Sequence, residues 1–275
     1  MNAWILAARP KTLSAAVVPV MVGAALVRTP LKWGLLACTL LGAVLIQIAT
    51  NYINDALDFK KGADTGERLG PTRVTAAGLL TADAVMMGAY LCFAGAAICG
   101  VPLIVHGGWP LLAIGVASIV AAYAYTGGPY PLAYHGLGEI FVIVFFGVIA
   151  VGGTYFVQTL GWVADITIAG IGVGCLATVL LVINNLRDVT SDRVSDKRTT
   201  VVRFGETFAR VEIAILALLP FVAAVYLGRL FTLIALPLAM FVVVSAWRGS
   251  GRALNQSLAL AGLLQWCYGL LFLAV

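Results

Sequence analysis

Charge is what this chain has least of: Asp, Glu, Lys and Arg make up 11% of its 275 residues, against 61% hydrophobic ones. So little polar surface cannot clothe a water-soluble globule of this size, which excludes a soluble domain and points to a polytopic membrane protein. The apolar runs lack period-2 alternation, which excludes a spanning β-barrel and leaves helices. Histidine is nearly absent, with 2 residues, and the 5 cysteines are odd in number, form no C-x-x-C pair and lie in or beside apolar runs. They read as small buried residues, neither disulfides nor zinc ligands. The formal net charge of +5 is better explained by membrane topology than by nucleic acid, which is excluded as a partner.

What is present is a series of long apolar runs. About nine spans are expected, over roughly 12–28, 33–54, 83–105, 109–127, 137–158, 165–187, 209–227, 230–247 and 255–275. Arg9 and Lys11 precede the first run as in a signal peptide, but the run is more economically the first of many spans, so no cleavage is expected. With nine spans, Arg28, Lys32 and Arg229 fall on one side and the remaining basic residues, of 17 in all, fall on the N-terminal side. This asymmetry places the N-terminus in the cytoplasm and the C-terminus outside. Pro220 and Pro237 are expected to kink the last spans, which should wall a hydrophobic tail.

Only two connections are long, and each begins with acidic residues at the end of an apolar run and continues into basic residues and threonines. In the first, Asn51, Asn54, Asp55 and Asp58 are related by helical steps of three and four and can converge on one face. Asp64 lies beyond Gly62, where the helix is expected to break. In the second, Asn184, Asp188, Asp192 and Asp196 are spaced by four. Carboxylates facing one another near a membrane need a cation between them. Oxygen-only ligands favour a hard ion, and Mg²⁺ typically combines one or two carboxylates with substrate phosphates. Two such sites ringed by Lys61, Arg68, Arg73, Lys197 and Arg198 make a diphosphate pocket. Set at the edge of a membrane, that pocket suits a diphosphate with a long hydrocarbon tail, a prenyl diphosphate, whose ionisation needs a dry site with aromatic faces. A secondary transporter is the rival from another class, but it would place acidic residues at mid-span, and here they end spans.

The pattern Asn54-Asp55-Ala56-Leu57-Asp58, paired with Asp188-x-x-x-Asp192, resembles the two aspartate-rich motifs of the UbiA superfamily of intramembrane aromatic prenyltransferases. Arg9-Pro10-Lys11-Thr12, Lys61-Gly62-Ala63-Asp64, Tyr125 to Leu132, Gly136-Leu137-Gly138-Glu139 and Asn184-Asn185-x-Arg187-Asp188 are more similar still to the branch that prenylates 1,4-dihydroxy-2-naphthoate. The resemblance implies an all-α, single-domain bundle of about nine transmembrane helices around a central cavity. It also implies two Mg²⁺ ions and transfer of a polyprenyl group from a polyprenyl diphosphate to 1,4-dihydroxy-2-naphthoate, with loss of CO₂ and pyrophosphate, giving demethylmenaquinone. Other acceptors, 4-hydroxybenzoate, homogentisate or haem, remain as alternatives.

Asn54, Asp55, Asp58, Asp188 and Asp192 are assigned to the metals, and the four aspartates with Lys197 to catalysis. Asn51, Asn54, Asp64, Lys61, Arg68, Arg73, Asn184, Arg187, Arg198, Tyr130 and Glu139 are the expected substrate contacts. Two departures from the superfamily pattern are Gly62, where a third aspartate is common, and Asp196, where the branch often has glycine. The expected location is the lipid bilayer of a bacterial inner membrane, with the active site on the cytoplasmic side.

Overall fold

A computed structural model describes residues 2–62 and 69–274, and the regular elements among them are all helical. A short helix α1 (Ala3–Ala8) and a 3-10 turn (Pro10–Thr12) lead at a 47° bend into α2 (Ser14–Ala25). Then come α3 (Trp33–Lys60), α4 (Ala82–Gly107) and α5 (Trp109–Ala124). The next span is composite: α6 (Gly138–Val142), a π-helical segment (Ile143–Ile149) and α7 (Ala150–Thr159) run on without a break. It is followed by α8 (Ala164–Arg187), the short helices α9 (Val189–Val194) and α10 (Thr200–Phe204), and α11 (Glu206–Tyr226). A 3-10 turn (Leu230–Ala235) leads into α12 (Leu236–Arg248), and α13 (Leu254–Leu273) ends the described chain.

Seven of these helical units are long and apolar enough to cross a membrane, and the bent N-terminal pair would make an eighth. The expected ninth, α5, has 16 residues, which at 1.5 Å per residue is about 24 Å and short of a ~30 Å hydrocarbon core. The elements otherwise follow local chemistry. Thr81 caps α4 by accepting from the Ala84 amide at 3.2 Å. Gly108, at φ 73°, turns α4 directly into α5. Gly62, at φ 70°, ends α3 where the sequence requires a break. Neither proline of the last spans interrupts a helix: Pro220 lies inside a continuous α11, and Pro237 sits in the first turn of α12, where its missing N–H costs nothing.

α8 is the axis of the bundle, with 72% of its apolar window buried against protein, whereas for α3 and α4 the share is 11%. Glycine permits this. A Cβ on Gly147 would lie 2.3 Å from the Gly170 carbonyl oxygen, and one on Gly174 would lie 2.7 Å from that of Ile143. The π-segment and α8 therefore touch backbone to backbone, the close approach that small residues allow in lipid. The ring of helices closes where α13 meets α2. Ser14 donates to Gln265 at 2.8 Å. At the opposite end of the bundle Arg229 donates to the Ala25 carbonyl at 2.9 Å and lies over the Phe272 ring.

Candidate active site

The last turns of α3 carry the first acidic stretch, and its side chains divide between two tasks. Asn51 donates to the Ala8 carbonyl at 2.9 Å and to Thr12 Oγ1 at 3.1 Å, tying α3 to the N-terminal bend. Asn54 accepts from Thr126 Oγ1. Asp58 accepts from Arg73 at 3.1 Å and from the Tyr134 hydroxyl at 3.0 Å. Asp55 turns away from these. Its carboxylate is 1% exposed and accepts from the Val74 amide at 3.2 Å, the Thr75 amide at 3.0 Å and the Thr75 hydroxyl at 2.5 Å. One carboxylate of the motif thus faces the site, and its neighbour fastens the loop that covers the site.

The second stretch leaves the end of α8. Arg187, 2% exposed, is its centre. It grips Asp188 with two hydrogen bonds, at 2.8 and 2.6 Å, and donates to Asn184 at 2.5 Å and to Asn255 of α13 at 2.9 Å. Asn255 in turn donates to the Leu69 carbonyl at 2.8 Å, and a Cβ on Gly70 would lie 2.5 Å from the guanidinium. The first long loop is therefore held down by the helix that bears the second stretch. Lys197 lies 3.8 Å from Asp192.

Tyr134 bridges the two halves. Its hydroxyl meets Asp58, the Lys61 and Lys197 ammonium groups lie 4.3 and 5.7 Å from its ring centroid, and its carbonyl accepts from the Arg198 amide at 3.1 Å. Burial, reinforced by the charges of Asp58 and Asp192, pushes the Tyr134 phenol well above its ordinary range, so it remains a donor. Desolvation lowers the Lys61 amine; Asp58 opposes that shift and Lys197 adds to it. Lys61 also donates to the Thr126 carbonyl at 2.6 Å.

Between these walls lies a cavity of about 650 Å³. Asn51, Asn54, Asp58, Arg73, Asn184 and Lys197 line it, as expected from the sequence. Asp55, Asp188 and Asp192 are not among the lining residues, nor are Lys61 and Arg187. Three expected contacts lie elsewhere. Arg198 pairs with Asp196 at 3.0 Å in solvent. Tyr130, 57% exposed, stacks on His135. Glu139 is buried and accepts from Thr200 at 2.7 Å and Asn185 at 3.3 Å, joining α6, α8 and α10. Asp64 and Arg68 fall outside the described residues.

The cavity also takes Arg9, Lys11, Tyr125, Thr126 and Asn255, which sequence reasoning did not assign to it. Arg9 and Lys11 were readable in Arg9-Pro10-Lys11-Thr12 but had been absorbed by the topological charge bias. Arg9 sits at φ 51°, a left-handed conformation that is costly before a proline and rare outside glycine. With Arg9, Lys11, Arg73 and Lys197 against Asp58, the described lining carries a net charge of +3 at pH 7.

A second cavity, of about 300 Å³, is almost entirely apolar. The two share Ala15, Gln47, Thr50, Tyr125, Val142 and Phe146, so the polar chamber opens through a neck into an apolar tunnel. The tunnel is lined by α2 to α7, with no lining residue beyond Val157 among the described residues. The last spans, expected to wall the tail, contribute instead to the polar chamber, through α13.

The donors around the chamber are carboxylate and carboxamide oxygens, the chemistry of a hard divalent cation. Among the described residues no three His, Cys, Asp or Glu side chains converge to cage an ion. That donor set fits a cation held partly by the protein and partly by an anionic substrate. Of those oxygens, the ones of Asn54 and Asp58 belong to lining residues, and those of Asp188 and Asp192 do not.

Comparison with known proteins bears on the same site. Residues 16–271 match the model of the UbiA prenyltransferase family. The 1,4-dihydroxy-2-naphthoate octaprenyltransferase of Haemophilus influenzae is 35% identical, over 96% of this chain and 93% of its own. That of Mycobacterium tuberculosis is 38% identical, over 76% and 72% respectively. Among solved structures, a UbiA homolog from Archaeoglobus fulgidus bound to GPP and Mg²⁺ superposes with a TM-score of 0.67, covering 99% of this chain and 100% of that one at 15% identity. The same homolog bound to Cd²⁺ gives 0.68 at 16% identity, over 99% and 98%.

Proposed function

The chain belongs to the UbiA prenyltransferase family, and on that premise we propose that it transfers a polyprenyl group from a polyprenyl diphosphate to 1,4-dihydroxy-2-naphthoate, releasing diphosphate and CO₂. The observation that carries this reading is the neck: a chamber whose described lining is net positive narrows into an apolar tunnel, matching a reactant with an anionic head and a hydrocarbon tail. The names of the relatives support the naphthoate as acceptor. The family's solved complexes with GPP and Mg²⁺ support a divalent-ion requirement.

Arg9, Lys11, Arg73 and Lys197 receive the diphosphate oxygens and hold them by charge-assisted hydrogen bonds. Asn54 and Asp58 would hold one Mg²⁺ ion, and Asp188 and Asp192 a second. When bound, such ions act as Lewis acids that offset the charge growing on the departing diphosphate. As the allylic C–O bond breaks, the carbon at the neck faces Tyr125 and Phe146, whose rings favour a cation while the apolar lining excludes water. The ring carbon bearing the carboxylate supplies the electron pair for the new C–C bond. The bond to the carboxylate then breaks, CO₂ leaves, and its electron pair restores the aromatic ring, giving the hydroquinone form of demethylmenaquinone. On this reading the chamber lies at the cytoplasmic face of a bacterial inner membrane, the side that the basic residues favour when α5 is counted as the ninth span.

Membranes containing the protein, supplied with both substrates and Mg²⁺, are expected to release CO₂ and diphosphate in equal amounts, and EDTA is expected to abolish both. Prenylation of 4-hydroxybenzoate without reaction of the naphthoate would overturn the acceptor assignment.

A further inference from the structure

Gln47 lies on α3 two helical turns deeper than Asn54, about 10 Å along the axis by helical rise. It is one of the six residues shared by the polar chamber and the apolar tunnel, and it is 7% exposed. Its carboxamide oxygen is buried, so the head meets the neck through its nitrogen, and the two N–H groups there have no acceptor among the described residues. Turning the amide over would bury two unpaired N–H groups in place of one carbonyl. The rest of the neck is uncharged. Ala15, Val142 and Phe146 are apolar, and Thr50 donates its hydroxyl back to the Ile46 carbonyl at 2.8 Å. Burial, then the charges of Glu139, Asp58 and Asp192, keep the Tyr125 phenol protonated. Gln47 is thus a neutral donor set where the reacting carbons meet, and a donor in such dry surroundings is strong.

The reactants can be sorted by what they offer those N–H groups. A prenyl tail is hydrocarbon and has no oxygen. The diphosphate has several, but Arg9, Lys11, Arg73 and Lys197 keep it in the chamber. The aromatic acceptor brings two kinds, because the carbon that meets the prenyl chain bears the carboxylate and the next ring carbon bears a hydroxyl. A donor on the carboxylate would hold negative charge where the reaction must remove it. A donor on the neighbouring oxygen meets charge that grows there as CO₂ leaves, and only interactions that strengthen toward the transition state speed the step.

We propose that the Gln47 carboxamide donates a hydrogen bond to the acceptor's ring oxygen next to the bond-forming carbon, orienting the ring and stabilising the charge that CO₂ loss places on that oxygen. This assignment rests on the prenyl-transfer reading above. C–C bond formation turns the hydroxyl into a ring carbonyl, and its proton passes to the departing diphosphate. When the bond to the carboxylate breaks, its electron pair moves through the ring onto that oxygen, which takes the proton back as aromaticity returns. Gln47 exchanges no proton at any point. The carboxylate needs none of the four basic side chains, which stay with the diphosphate.

The test begins with calorimetric binding of 1-hydroxy-2-naphthoate and of its isomer 4-hydroxy-2-naphthoate to the purified protein without prenyl diphosphate. The wild type is expected to bind the 1-hydroxy compound about tenfold more tightly. Gln47→Leu and the near-isosteric Gln47→Met are expected to lose that preference. With 1,4-dihydroxy-2-naphthoate, kcat in Gln47→Met should fall about a hundredfold, with the KM for the prenyl diphosphate changing less than twofold. In a single turnover the wild type should release diphosphate and CO₂ together, whereas in Gln47→Met diphosphate should appear ahead of CO₂. If the wild type binds both isomers equally, the assignment is overturned even where the variants fail to fold. It is also overturned if the variants keep the preference, if CO₂ keeps pace with diphosphate in Gln47→Met, or if the KM for prenyl diphosphate rises in parallel. A wild type that shows the isomer preference but transfers no prenyl group would instead overturn the proposed reaction and leave the Gln47 contact standing.

Discussion

The two acidic stretches end helices of opposite character. α8 runs through the middle of the bundle, locked by glycine contacts with the π-segment, and delivers Asn184, Arg187 and Asp188 from a helix that has no room to move. α3 lies at the edge, with 11% of its apolar window covered by protein, and depends on a loop to complete its half. Asp55 holds that loop from below through Val74 and Thr75, and Asn255 holds Leu69 from the side. One half-site is thus set by packing and the other by polar contacts across long stretches of chain. Packing tolerates the loss of a side chain poorly but resists solvent, whereas a polar latch can be released one bond at a time.

Mutations that strike the two halves separately should expose this difference. The largest effect is expected from Arg187→Ala, which takes from Asp188, at the rim of the core, both of its hydrogen bonds to the guanidinium. Loss of one member of such a buried pair costs about 3–5 kcal/mol. Both the unfolding midpoint in detergent and kcat/KM should fall steeply. A variant with normal stability would mean that α8 is not the rigid partner described here.

Asp55→Ala comes next. It removes the acceptor of three hydrogen bonds and should cost about 1–3 kcal/mol. Its distinguishing mark is local: limited proteolysis should open the 69–80 segment while α8 and α13 stay protected. A variant inactive but with an unchanged proteolytic pattern would show that Asp55 serves a metal and not the loop. The smallest effect is expected from Tyr134→Phe, which keeps the ring beneath Lys61 and Lys197 and deletes only the bond to Asp58. About 1 kcal/mol is at stake, seen as a rise of a few fold in the KM for prenyl diphosphate with the fold intact.

How much of this was legible in the sequence follows the same division. The helix bearing the second stretch ends at Arg187, as the expected span does, because long apolar runs and their polar ends are local signals. α3 runs on to Lys60 and stops at Gly62, where glycine marks the break. Which carboxylate of Asn54-Asp55-x-x-Asp58 faces the chamber was not legible. Helical spacing allows both, and the choice is made by Thr75, twenty residues away and across a turn. The outward placing of Tyr130 and Arg198, and the structural role of Glu139, also depend on long-range packing. Arg9 and Lys11 were visible, but a topological charge bias and a substrate-binding pair look alike until the chain bends.

The contact between α2 and α13 bears on how such a chain is made. A protein synthesised from its N-terminus places α2 in the membrane long before α13 leaves the ribosome. Until it does, Ser14 lacks Gln265, the Ala25 carbonyl lacks the clasp that Arg229 forms with Phe272, and the polar chamber has no wall on that side. The chamber cannot be sealed from lipid by any partial chain. Helix α13 therefore closes the bundle late in synthesis, and a chain arrested before Leu254 leaves the chamber open on that side.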